Sequence, residues 1–138
     1  MNIKYLQHYL IRAKNIEVSK KFYTEVLGLN VGYRPPFKFP GYWLYVNNLP
    51  VVHLIEAENK SLEQKTYLGN ETLEVQNQSG AIDHLAFAAD HLEQVLSHFR
   101  HLNVVYQHRV VPEEEGANQL FIVDPDGIRI ELNFSHHP

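Results

Sequence analysis

The sequence predicts an α+β protein made of two βαβββ modules in tandem, and three observations carry that prediction. Apolar and polar residues alternate with period two in several short runs; one amphipathic helical stretch follows the first run of each half; and the order restarts after a polar middle segment. Module one spans about residues 1–56, the connection about 57–80 and module two about 81–135. A supersecondary unit that is repeated needs its copy to bury a face, so the two modules are expected to pack as one domain over residues 1–138.

Tyr5 to Ala13 reads as a strand, with Leu6, His8, Leu10 and Arg12 on one face. Helical spacing follows from Ile16, where Val18, Phe22, Tyr23, Val26 and Leu27 recur at three- and four-residue steps, and Gly28 suits the left-handed position that closes a helix. Leu29 to Tyr33 is the next strand. A Pro-rich loop, Arg34 to Gly41, leads to a strand over Tyr42 to Val46, and the turn residues Asn47-Asn48-Leu49-Pro50 lead to another over Val51 to Ile55. Residues 57–80 are polar and lack a period, as a connection would.

The second half repeats this order. Ile82 to Ala88 is a strand carrying His84, and Asp90 is a candidate N-cap for a helix over His91 to Leu102. Strands are expected over Val104 to His108, Gln119 to Val123 and Ile128 to Phe134, the last two joined by Asp124-Pro125-Asp126-Gly127. In the final strand Ile128, Ile130, Leu132 and Phe134 alternate with Arg129, Glu131 and Asn133, so a carboxylate stands mid-strand on the polar face.

The halves also match residue by residue. His8 answers to His84, an offset of 84 − 8 = 76, and His53 answers to Glu131, an offset of 131 − 53 = 78. Each of the four is expected inside a strand, two on the first strand and two on the last strand of a module, where a pseudo-twofold would gather them around one cavity. A packing role must explain each residue separately, whereas a single metal site explains all four. Imidazole and carboxylate suit divalent Zn, Ni, Fe, Mn or Co, so one divalent metal ion is expected on His8, His53, His84 and Glu131. Val51, His53 and Ile55 share a strand face, which favours His53 as a ligand. His91, His98 and His101 fall on the helix, and His136 and His137 in the tail, where solvated roles suffice.

Composition narrows the partners. The chain has 138 residues, 44% of them hydrophobic, a formal net charge of −4 and no cysteine. Disulfides, thiolate catalysis and Cys-bound zinc are thereby excluded. Without a cluster of Lys and Arg, neither nucleic acid nor an anionic membrane is an expected partner, and no apolar run approaches spanning length. Met1-Asn2-Ile3-Lys4 runs straight into the first strand pattern with no signal-peptide layout, so a cytoplasmic location is expected.

The sequence resembles the vicinal oxygen chelate superfamily of glyoxalase I, fosfomycin and bleomycin resistance proteins, extradiol dioxygenases and methylmalonyl-CoA epimerase. The likeness rests on His8 in the first strand, the Phe22-Tyr23-Thr24-Glu25-Val26-Leu27-Gly28-Leu29 helix end, Asp83-His84-Leu85-Ala86-Phe87, and Asp-Pro-Asp-Gly followed by Ile130-Glu131-Leu132. It implies a glyoxalase-like fold whose paired modules form a cup-shaped mixed sheet with the helices outside, and metal ligands at His8, His84 and Glu131. The position of His53 is a fourth ligand in glyoxalase-type members, usually Glu or Gln; here it is His. A homodimer is expected as well.

Around such a metal, Phe37, Phe39 and Trp43 are candidate walls for a small-molecule substrate, and Arg12 and Arg34 candidate partners for an anionic group on it. Two reactions compete. In the first, a lyase or isomerase of glyoxalase type, the metal binds adjacent substrate oxygens and Glu131, the only carboxylate of the four, is ligand and catalytic base together. In the second, two His and Glu131 hold iron for an extradiol-type dioxygenase, and His53 is an acid-base group beside it. A metal-dependent binding or resistance protein without turnover is the reading outside enzymes. The first reaction is preferred because a fourth ligand-type residue stands at the matched position.

Overall fold

The computed structural model describes residues 5–57, 62–64, 82, 84–112 and 116–134. Most of the expected connection, Asp83, and the tail with His136 and His137 lie outside the described residues. The chain divides into two compact units, Met1–Gln76 and Asn77–Pro138.

The first unit begins with strand β1, Tyr9–Ala13. Asn15 caps the helix that follows, α1 at Ile16–Lys21, by accepting from the backbone N–H groups of Glu17 and Val18 at 3.0 and 3.2 Å. The helix continues as a π-helical turn over Phe22–Val26. There the Thr24 hydroxyl donates back to the Lys20 carbonyl at 2.9 Å, competing for the backbone ladder, and Tyr23 is wholly buried. Gly28, at φ +76°, lets the Leu29 N–H turn back onto the Tyr23 carbonyl at 3.0 Å. Strands β2 (Asn30–Gly32), β3 (Gly41–Val46) and β4 (Leu49–Glu56) complete a sheet in the order β1-β4-β3-β2, with β1 and β4 parallel. Asn47 and Asn48 both take positive φ, the mirror-image turn that suits the twist of the β3–β4 hairpin. The buried residues of this unit include Ile11, Leu44, Val52 and Leu54.

The second unit repeats the order. Strand β5 is Leu85–Ala89, helix α2 is Leu92–His101, and β6 (Gln107–Val111), β7 (Ala117–Val123) and β8 (Arg129–Phe134) follow. The sheet order is β5-β8-β7-β6, with β5 and β8 parallel. Leu96 and Phe99 on α2 are buried, as are Leu120, Ile122, Ile130 and Leu132 on the sheet. The Asp124 carboxylate, itself buried, accepts from the N–H groups of Asp126 and Ile128, both at 2.8 Å, and Gly127 takes φ +83° to close the turn.

Several expected boundaries shift. Residues 5–8 precede β1 instead of belonging to it, so His8 stands just outside the strand, and His84 stands likewise just before β5. Strand β6 starts at Gln107, three residues later than expected, because the backbone that leaves α2 turns at Asn103, where φ is +58°. Asp90 is not the cap of α2. Its carboxylate takes the His91 Nδ1 at 2.7 Å, and His91, at φ +59°, is the residue at the cap position. Among the described residues no helix is long and apolar enough to cross a membrane.

Candidate metal centre

In the first unit, β4 carries His53 between Leu10 of β1 and Trp43 of β3, its neighbours in the sheet register. Its ring lies between two others. The His8 ring is stacked on one side, with centroids 3.8 Å apart and planes 13° apart, and the Trp43 ring on the other, at 4.1 Å and 8°. His53 Nε2 donates to the Pro50 carbonyl at 3.1 Å, which leaves Nδ1 with its lone pair, buried and without a partner among the described residues. Burial, then the neighbouring His8 and Arg34 charges, push the His53 imidazole down to about 4, outweighing the Pro50 hydrogen bond, so the ring is neutral near pH 7. His8, half-buried, has Nδ1 bonded to Gln7 Oε1 at 2.9 Å, so in the neutral ring the lone pair is on Nε2.

In the second unit, His84 Nε2 lies 3.7 Å from Glu131 Oε1. The other oxygen of Glu131, Oε2, accepts from Asn133 Nδ2 at 2.7 Å, and Asn133 Oδ1 accepts from Gln119 Nε2 at 3.0 Å. Glu131 is 9% exposed, so the mid-strand carboxylate faces a protected polar cluster and not open solvent.

The sheet registers show the repeat directly. Leu10 pairs with His53 as Ala86 pairs with Glu131, and Trp43 faces His53 as Phe121 faces Glu131. His53 and Glu131 therefore occupy one position of one motif, and His8 and His84 stand at the residue before the first strand in each copy.

These donors fit a divalent ion, with one restriction. Two donors about 2.1 Å from a common ion and 3.7 Å apart subtend about 120° at it, within the range of zinc-like sites, so His84 and Glu131 fit as they stand. Stacked imidazoles send their in-plane lone pairs into parallel planes, so His8 and His53 cannot both meet one ion until a ring leaves the stack. His8 Nε2 lies on the half-buried member, whereas the His53 ring is covered on both faces. Within neither unit does a third His, Asp or Glu among the described residues join the pair.

The expected wall residues continue the ring stack. Phe37 stands 6.5 Å from Trp43 and 5.3 Å from Phe39, so the loop is joined to His53 through Trp43. Phe39 is buried at 3% exposure and belongs to the core, while Phe37 and Trp43 are half-buried. The Arg34 guanidinium lies over both Phe37 and Phe39 and donates from Nη1 to the Phe39 carbonyl at 3.0 Å, which makes it a clamp on its own loop. Arg12 is exposed on β1. His98 and His101 are exposed on α2, and His108 Nε2 bonds Asn118 Oδ1 at 2.7 Å. Sequence reasoning missed Asn133 and Gln119; the signal was two amides on the alternation parity of Glu131 and in the neighbouring strand.

Comparisons with known proteins agree on the family and the fold. The model of the Glyoxalase/Bleomycin resistance protein/Dioxygenase superfamily matches residues 5–132. A protein described as Glyoxylase I 4 of Arabidopsis thaliana is 27% identical over 135 residues, covering 96% of this chain and 71% of that protein. An integron cassette protein from the mobile metagenome of a Halifax Harbour sewage outfall superposes with a TM-score of 0.64 at 26% identity, over 96% of this chain and 99% of that one. The fosfomycin resistance protein FosX of Listeria monocytogenes has a TM-score of 0.67 at 15% identity, over 99% and 97%, a likeness of fold.

Proposed function

The chain belongs to the Glyoxalase/Bleomycin resistance protein/Dioxygenase superfamily, and on that premise we propose a divalent-metal-dependent enzyme of glyoxalase type, a lyase or isomerase. Its substrate is a small molecule that presents adjacent oxygens. His8, His84 and Glu131 hold the ion in this reading, and His53 backs His8 as a neutral, stacked support. When bound, the ion supplies a Lewis acid that polarises the substrate oxygens. Glu131, the only carboxylate of the set, accepts and returns the proton, and its burial keeps bulk water from competing. Phe37 and Trp43 offer an apolar wall beside His53, and exposed Arg12 a cation for an anionic substrate group. The observation that carries the proposal is the donor pair of the second unit, His84 Nε2 and Glu131 Oε1, set 3.7 Å apart.

Among the described residues each unit supplies fewer than the three protein donors such an ion needs, so the proposal draws on donors of both units, from one chain or from two copies of it. Metal analysis of untagged protein tests the site, and a substrate screen with and without oxygen tests the reaction. About one metal per chain, lost in His84→Ala, with oxygen-independent turnover is the expected result; full metal content in His84→Ala under chelator challenge would reject the site.

One second reading shares this ligand set. Two His and one Glu, with His53 stacked beside them, also suit iron and an extradiol-type dioxygenase. Oxygen uptake on a catechol by the iron-loaded protein would select that reaction.

A further inference from the structure

We infer that Gln119 and Asn133 are positioning residues for Glu131, a relay of two side-chain amides that decides which carboxylate oxygen is left for the ion. The inference rests on the metal reading above. Asn133 Nδ2 donates to Glu131 Oε2 at 2.7 Å, and Gln119 Nε2 donates to Asn133 Oδ1 at 3.0 Å. Charge dictates the direction of both amides. An ionised carboxylate only accepts, so the Asn133 nitrogen faces it; Asn133 Oδ1 then faces Gln119, which must offer its own nitrogen. Oε2 thereby carries a hydrogen bond, and Oε1, on the His84 side at 3.7 Å, is the oxygen left facing the other donor, which favours binding through Oε1.

The repeat supplies an internal control. At the offset of 131 − 53 = 78, the counterparts of Gln119 and Asn133 are Gly41 and Ile55, which pair in the same register. Module one therefore builds this part of its sheet without an amide at either place. The space over Gly41 is filled by Arg34, whose Nη2 would lie 2.7 Å from an added Cβ. The fold does not require the amide pair; the module that has it is the one that has the carboxylate. The pair is also costly, because Gln119 is buried and its Oε1 has no partner among the described residues. A strained polar choice beside a reactive group is expected where function, not packing, sets the residue.

The test uses untagged protein and its Gln119→Leu and Asn133→Ala variants, titrated with Co²⁺ against a competing chelator and followed by visible absorption. Thermal unfolding of the metal-free proteins and the side-chain amide NMR signals of the metal-free parent and Glu131→Gln complete it. Asn133→Ala is expected to weaken Co²⁺ binding by roughly 10–100-fold and Gln119→Leu by about tenfold, with a changed absorption band. The metal-free Gln119→Leu protein should unfold at the parent temperature or above, since an unpartnered buried acceptor is gone. A merely structural pair would do the reverse, lowering the unfolding temperature and leaving affinity alone, and that result overturns the inference. If the parent binds no Co²⁺, the metal reading fails while the relay is still judged: an Asn133 amide proton shifted downfield in the parent and moved upfield in Glu131→Gln supports it, and an unmoved signal overturns it.

Discussion

The imidazole of His53 lies flat against that of His8, with ring centroids 3.8 Å apart and planes 13° apart. Strand parity alone favours His53 as a fourth ligand, yet two rings in that relation cannot share an ion through their in-plane lone pairs. His53→Ala should therefore keep its metal under chelator challenge, while His84→Ala, which removes a donor already set 3.7 Å from Glu131 Oε1, should lose it. Metal content after dialysis checks both. Equal loss in the two variants would show that His53 leaves the stack to ligate.

Acid should weaken the metal-free protein through His53. The imidazole sits at about 4 in the folded chain and at its ordinary 6.5 in the unfolded one, so above pH 6.5 both states leave it neutral and its contribution is complete. Between pH 6.5 and 4 the unfolded chain binds a proton that the folded chain refuses. Stability then falls as pH falls, by on the order of 2–3 kcal/mol at pH 4. Denaturant unfolding at pH 7 and pH 4.5, in chelator, should show a smaller drop for His53→Phe than for the parent.

Phe37 and Phe39 should separate by role although they are stacked 5.3 Å apart. Phe39 is 3% exposed, so Phe39→Ala should cost about 3–5 kcal/mol of stability, as large-to-small changes in a packed core do. Phe37 is half-buried at the end of the stack nearer Trp43, so Phe37→Ala should cost about 1 kcal/mol and act chiefly on substrate binding. Denaturant midpoints and ligand titrations on the two variants check the division.

Asp124 should matter to stability alone. Its buried carboxylate accepts two backbone N–H groups at 2.8 Å that would otherwise lose their partner on the inner side of the turn. Asp124→Ala should cost on the order of 2–3 kcal/mol, while Asp124→Asn, which keeps an acceptor, should cost less. Unfolding curves read the difference, and unchanged Co²⁺ affinity in Asp124→Asn would confirm that the turn only carries β8.

The strand and helix order, the Gly28 and Asp-Pro-Asp-Gly turns and the pairing of His8 with His84 and His53 with Glu131 were all legible in the sequence. Each of these is written in local chemistry: period-two and three-to-four spacing, Pro and Gly at fixed offsets, and two stretches that repeat at a near-constant interval. The π-helical turn at Phe22–Val26 and the Asp90–His91 exchange at the start of α2 were not, because each turns on which of several nearby hydrogen-bond acceptors wins, a contest spacing does not record. Tertiary structure alone decided which of the candidate site residues touch. That His53 is sandwiched between His8 and Trp43, that Arg34 clamps its own loop over Phe37 and Phe39, and that Gln119 and Asn133 are hydrogen-bonded in series to Glu131 all depend on side chains from different strands and loops coming into contact. Alternation assigns a residue to a face of its own strand; only the register between strands, fixed by the packing of the whole sheet, decides which residues on that face touch.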